Sequence, residues 1–213
     1  MIQLAESTYY GKRMPKEKFY AHLETPPAVR RSFIDDIDYI VWRNKLAAST
    51  LNIAAGEKVK EIAFFEVHLK REEYNPALFE FIDRNVSVYV VYLLVFQGKA
   101  QLRVNYKEPI AQRAGSFKII ESFESCWTDE GDIDLHIGGL NLDVIYEGFV
   151  RQIAGSALQS VRGEDIVTDI TAQQQRAKIE REIAQLENRM RKEKQFNRQL
   201  EMATEIRELK KFC

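Results

Sequence analysis

Apolar residues recur every three or four positions from Thr171 to Cys213, a stretch with neither glycine nor proline. Ile179, Ile183, Leu186 and Met190 therefore share one helical face, and Leu200, Ala203, Ile206 and Leu209 share another. Carried onward, the first register places Glu193 and Asn197 at core positions, so RKEKQFNRQ breaks the seam. The pattern resumes as Met202, Ile206, Leu209 and Cys213. Two helices, over 172–191 and 198–212, folded back as an antiparallel hairpin satisfy this break better than one long helix with a stutter.

Upstream the pattern is shorter in period and more varied. Residues 15–24 (PKEKFYAHLE) predict a short amphipathic helix, and Thr25-Pro26 the cap and first turn of another, with Val29, Phe33, Ile37 and Ile40 on its apolar face. Tyr39 to Trp42 is rich in strand formers, and RNKLAASTLNIAAGEK reads as a polar connection. KVKEIAFFEVHLK, from Lys58 to Lys70, predicts a strand. Asn75-Pro76 opens a short helix, and Val86 to Phe96 has the unbroken apolar run of a strand covered on both faces. Gln97-Gly98-Lys99 turns into a hairpin partner over Ala100 to Tyr106. Ser116 to Trp127 predicts another strand, DEGDIDLHIGGLN a loop, and Asn141 the cap of a helix over Leu142 to Ala154. The expected class is α+β: a mixed or antiparallel sheet of about four to five strands with flanking helices, plus a helical tail. The expected division is a globular domain over 1–165 and a coiled-coil tail over 166–213.

Composition narrows the setting. Hydrophobic content of 45% and aromatic content of 11% suit a folded body. No window reaches 18 apolar residues, and the start lacks a basic leader before an apolar segment, so a cytoplasmic protein without membrane contact is expected. The two cysteines build no disulfide framework, Cys126 being expected buried and Cys213 exposed. Net charge is −1, yet residues 171–213 carry 11 Lys/Arg against 7 Asp/Glu. A mildly basic tail suits nucleic-acid contact, although charges interspersed along a helix more commonly just solvate it.

No catalytic motif stands out. His22, His68 and His136 show no metal-ligand spacing, and no metal or cofactor is expected. Asp129, Glu130, Asp132 and Asp134 lack the EF-hand scheme, and GGLN and AAGEK are too poor in glycine for a phosphate loop. The sharpest enzymatic alternative is a magnesium-dependent nuclease. It would use Glu61, Glu66 and Lys70, with Asp38 nearby, because such sites need carboxylates and a lysine around a strand. Histidine occupies the position two beyond Glu66 where that motif wants lysine, and the idea demands that the three side chains share one cleft. Tyr39, Trp42, Phe64, Phe65, Tyr89 and Tyr92 have the chemistry of a base-stacking platform, but such sets more often form core. Arg43 and Lys45, in WRNKLAASTLNI, are the basic residues expected at an exposed edge and are the first choice for a binding site.

YYGKRMPKEKFYAHL, VWRNKLAASTLNIAAGEKVKEIAFFEVHLK, NVSVYVVYLLVFQGKAQLRVNYKE and the Lys/Glu-rich tail together resemble a bacterial domain-of-unknown-function family. The resemblance covers nearly the whole chain. It implies genes beside helicases and DNA methyltransferases of restriction-like, anti-phage defence loci, and it carries no catalytic residues. The function expected is a non-catalytic accessory subunit that works by protein–protein contact. Ile179, Ile183, Leu186, Ile206 and Leu209 would pair with a helicase, a methyltransferase or a second copy, and DNA contact would be indirect.

Overall fold

A computed structural model describes residues 2, 4–21, 24–110, 115–158 and 165–211. The chain divides into two compact units, Met1–Gly155 and Ser156–Cys213. The first is built on a sheet of β1 (Tyr9–Met14), β2 (Ile37–Ala47), β3 (Glu61–Leu69), β4 (Tyr89–Phe96), β5 (Lys99–Pro109), β6 (Phe117–Glu124) and β7 (Thr128–Asp129). Strands β1 to β6 lie side by side in chain order, and β7 adds to β5. Every pairing is antiparallel except β3 with β4, which α3 (Ala77–Asn85) connects as a crossover. The fold is thus α+β, as the sequence predicts.

Local chemistry explains the elements that frame the sheet. Seven consecutive residues of β4, Tyr89 to Val95, are buried, because both faces of this central strand are covered. Gln97 and Gly98 adopt φ of 49° and 80°, the pair of positive values that lets a two-residue turn join Phe96 to Lys99 with the twist of the strands. Asn75 Oδ1 accepts from the Ala77 amide at the start of α3, and Asn141 Oδ1 from the Val144 amide (3.0 Å) at the start of α4 (Leu142–Ala154).

The two faces of β3 separate two cores. Ala63, Phe65, Val67 and Leu69 join Phe33 of α1 (Pro27–Asp35) and Phe79 and Ile82 of α3 in one cluster. Phe64, on the other face, meets Phe149 of α4 with ring centroids 5.5 Å apart. Strand β5 sends Arg103, Asn105 and Lys107 towards α3, where Lys107 Nζ lies 2.8 Å from Asp83 Oδ1 with neither side chain exposed. Asp83 Oδ2 also accepts from Tyr92 Oη (2.9 Å) and Asn105 Nδ2 (2.6 Å). These groups make a buried polar network beneath β5.

Several sequence expectations are corrected. Arg43 to Ala47 is not a connection but the second half of β2; two irregularities in its register with β3 obscure the alternation that would have revealed it. A four-residue helix, α2 (Ala48–Leu51), follows. Lys16–Phe19 forms a 3₁₀ turn in place of a longer helix, whose last residues, His22 and Leu23, lie outside the described residues. Pro26, not Thr25, precedes the first turn of α1. Among the described residues the sheet has seven strands where about four to five are expected. Cys126 is exposed because it lies just past the end of β6; Cys213 lies outside the described residues.

The second unit contains α5 (Ile166–Lys192) and α6 (Phe196–Leu209), folded as a hairpin. Ile183, Leu186 and Ile206 form its buried centre, with Ile179, Met190, Met202 and Leu209 around it. Lys210 Nζ bonds Glu187 Oε1 across the two helices (3.0 Å).

Candidate functional site

The sequence candidates land on three different surfaces. Arg43 Nη1 reaches Glu66 Oε2 at 3.2 Å, and Lys45 Nζ reaches Glu61 Oε2 at 2.7 Å. Strand β3 runs in regular register with β4, so Glu61 and Glu66, five residues apart, point to opposite faces of the sheet. Lys70 lies past the end of β3, its Nζ donating to the Ile34 carbonyl of α1 (2.8 Å). The shared cleft that nuclease chemistry demands is therefore missing for these three residues, and the described residues contain no group of three metal-ligating side chains.

Arg43 and Glu66 instead belong to a row across β1, β2 and β3 that continues the α4-side face where β3 ceases to be apolar. Glu66 Oε1 and His68 Nε2 are 2.7 Å apart. The His68 ring stacks on Tyr39 (centroids 4.1 Å, planes 18° apart), and the Arg13 guanidinium lies 4.7 Å from the centre of the same Tyr39 ring. The result is a series of guanidinium, phenol and imidazole, half-buried at Tyr39 and His68, with a carboxylate and a second guanidinium at its end. Register produces it: Arg13 sits opposite Val41, Val41 opposite Glu66, and Tyr39 opposite His68.

The hydrogen bond from His68, reinforced by Arg43, holds the Glu66 carboxyl below its ordinary value of 4.5 even though burial works against this. Lys16, donating to the Ile37 carbonyl at 2.8 Å, is pushed down from 10.5 first by burial and next by the positive charge of Lys70, with Arg13 adding to it. Three cations, Arg13, Lys16 and Lys70, thus gather where β1 ends and β2 begins. Glu17 and Asp38 oppose them. Two shallow clefts open along this side of the sheet, one bounded by Arg13, Lys16, Asp38 and Tyr39, the other by Tyr9, Arg43 and Asn44. Tyr9 is 70% exposed on the edge strand, while Tyr10 packs on Trp42 on the opposite face.

Sequence reasoning misses Arg13 and Lys16 and places Tyr39 in core. The available signal is the interleaving of aromatic and basic residues in YYGKRMPKEKFY. Gly11, at φ 59° beside the register shift of β1, hides the strand that presents them. Of the other proposed stacking residues, Phe64, Phe65, Tyr89 and Tyr92 are core, as their spacing suggests.

An anion-binding arrangement elsewhere is already filled. The amides of Glu57, Lys58 and Val59 converge on the Asp143 carboxylate, with Glu57 N to Oδ2 at 2.6 Å and Val59 N to Oδ1 at 2.7 Å. A Cβ at Gly56 would stand 2.1 Å from Asp143 Oδ1, so only glycine admits the carboxylate. The AAGEK segment does resemble a phosphate cradle in its backbone, but its occupant is the first turn of α4. Nearby, Tyr89 is pushed up to about 12, chiefly by burial.

In the hairpin, the candidates Ile179, Ile183, Leu186, Ile206 and Leu209 meet one another. Ile183, Leu186 and Ile206 are buried by this contact, while Ile179 and Leu209 are only partly covered. Exposed apolar surface remains at Phe196 and Leu200, which with Met190 and Ala203 line a cleft.

The described residues thus form an α+β sheet unit and a helical hairpin, with a charged and aromatic row at one end of the sheet. The chain belongs to the family described as Domain of unknown function (DUF4391), whose match spans residues 2–212. No curated protein and no solved structure matches it. Among the described residues, no helix is long and apolar enough to cross a membrane.

Proposed function

We propose that this protein is a non-catalytic accessory module that binds nucleic acid through the β1–β3 end of its sheet. The observation that supports this reading most is the row of Arg13, Tyr39 and His68 beside the cations Lys16 and Lys70. Planar side chains stack on exposed bases of any sequence, and clustered cations replace the counterions of a phosphate chain. The site holds no nucleophile activated by a base and, among the described residues, no cluster of carboxylates for a metal, which favours binding over cleavage. The setting is that implied by the family resemblance: a cytoplasmic role beside the helicases and methyltransferases of a bacterial restriction-like defence system.

The test is fluorescence anisotropy of a labelled oligothymidylate strand, titrated with the full chain between about 50 and 200 mM salt, in parallel with Arg13→Glu and Tyr39→Ala. Wild type should bind with a steep salt dependence. Arg13→Glu should weaken binding about tenfold and flatten the slope by about 0.7 for each phosphate no longer neutralised. Tyr39→Ala should weaken binding and leave the slope unchanged, because Tyr39 lies between Arg13 and His68 and holds the planes on which a base would stack, and stacking releases no counterions. Absence of wild-type binding at about 10⁻⁴ M protein in low salt would end the proposal.

A further inference from the structure

The closed end of the hairpin combines two features that the packing of α5 and α6 leaves unused. Phe196, Leu200 and Ala203 fall at i, i+4 and i+7 of α6, forming a stripe distinct from the one that buries Met202, Ile206 and Leu209. With Met190 they line an apolar cleft edged by Arg191 and Gln199, and Phe196 and Leu200 are 73% and 58% exposed. Around this cleft, residues 189–198 carry Arg189, Arg191, Lys192, Lys194 and Arg198 against a single acid, Glu193. The Glu193 carboxylate is occupied at home, accepting from the amides of Lys194 (2.8 Å) and Gln195 (3.0 Å) and lying 3.9 Å from Arg198. Among the described residues, Arg189, Arg191, Lys192 and Lys194 have no carboxylate partner in an ion pair.

We infer that this end of the hairpin is a docking site for an acidic amphipathic helix of a partner protein. Apolar side chains of that helix would enter the cleft at Phe196 and Leu200 while its carboxylates face Arg191, Lys192 and Lys194. Helix-in-groove recognition uses this combination of an apolar stripe and a charged rim. A nucleic acid would satisfy the cations and could stack a base on Phe196, but it offers no aliphatic side chains to Met190, Leu200 and Ala203. The same end of a second copy would bring five further cations against these. The inference is independent of nucleic-acid binding by the sheet, and it replaces the inward stripe of Ile183 and Leu186 with the outward stripe of α6 as the contact surface.

Two synthetic peptides with the same leucines at i, i+3, i+4 and i+7 test it, one with glutamate and one with lysine at the exposed positions. Anisotropy should show the glutamate peptide binding the full chain and the lysine peptide not binding. Phe196→Ser combined with Leu200→Ser should weaken the glutamate peptide about tenfold, or about 1.4 kcal/mol. Both side chains face solvent, so helicity should be unchanged; oligothymidylate binding by the double variant should also be unchanged. Failure of the glutamate peptide to bind, equal binding of the lysine peptide, or insensitivity to the double variant would each overturn the inference. So would displacement of the bound peptide by oligothymidylate with the same residue dependence, which would assign the surface to nucleic acid.

Discussion

Replacing Lys107 with methionine tests whether the buried ion pair beneath β5 is structural. The ammonium donates to the Asp83 carbonyl at 2.9 Å and the Val88 carbonyl at 2.8 Å, and it forms an ion pair with Asp83 Oδ1 at 2.8 Å. Burial pushes Lys107 down from 10.5, and Asp83 opposes this by favouring the charged form. Methionine fills most of the space, so the loss is polar rather than volumetric. It leaves a fully buried carboxylate without its cation, a change that costs about 3–5 kcal/mol, and orphans two carbonyls as well. Lys107→Met should therefore lower stability by about 4 kcal/mol, a large share of the roughly 5–15 kcal/mol typical of a domain. Adding Asp83→Asn removes the stranded charge and should recover about 2 kcal/mol of that loss. Urea unfolding followed by tryptophan fluorescence is the assay, since both tryptophans, Trp42 and Trp127, pack against the core shared by β2, β3 and α3. A loss below about 1 kcal/mol for the single variant, or no recovery in the double, would refute the assignment and point to a lysine poised for chemistry.

The charged row on the sheet makes a prediction about pH. The Glu66 carboxyl sits below its ordinary 4.5, so it contributes stability that is present above that value and lost as pH falls through the lower folded value. The contribution is small, about 1 kcal/mol or less, because the pair is partly exposed. The stability gap between wild type and Glu66→Gln, measured by urea unfolding, should close on acidification below pH 4.5; a gap that widens there would contradict the arrangement. In the hairpin, Ile183→Asp places a carboxylate among Leu186 and Ile206. It should lower far-UV helicity and leave both the tryptophan-reported transition and the mass by light scattering unchanged. A halved mass would mean that Ile183 faces another chain.

What the sequence reveals depends on whether each element's pattern is set by burial alone. Strand β4 is legible because both its faces are covered, so every residue is apolar and no register need be known. The hairpin is legible for a related reason: the polar break over RKEKQFNRQ interrupts the seam where the chain reverses. Strands β1 and β2 are not legible, because their outward residues are neither buried nor simply solvated. Asn44 is buried through its bond to Thr8 Oγ1 (2.9 Å), Arg43 and Lys45 are drawn across to Glu66 and Glu61, and two register shifts break the alternation. The residues that form the candidate site are the same ones that spoil the strand pattern. A peripheral strand whose side chains are chosen to stack and pair with one another carries no hydrophobic signature, so its chemistry becomes visible only after the neighbouring strands fix the register. Tyr39 shows this most directly: by spacing it belongs to a core helix or strand, whereas its ring meets Arg13 and His68 on the surface of the sheet. The tail departs from its pattern in the opposite direction. Its apolar stripe is a pairing surface, as the spacing indicates, but a pairing stripe on each of two adjacent helices is most cheaply satisfied by folding one onto the other. Any partner must then be recognised by what that folding leaves outside.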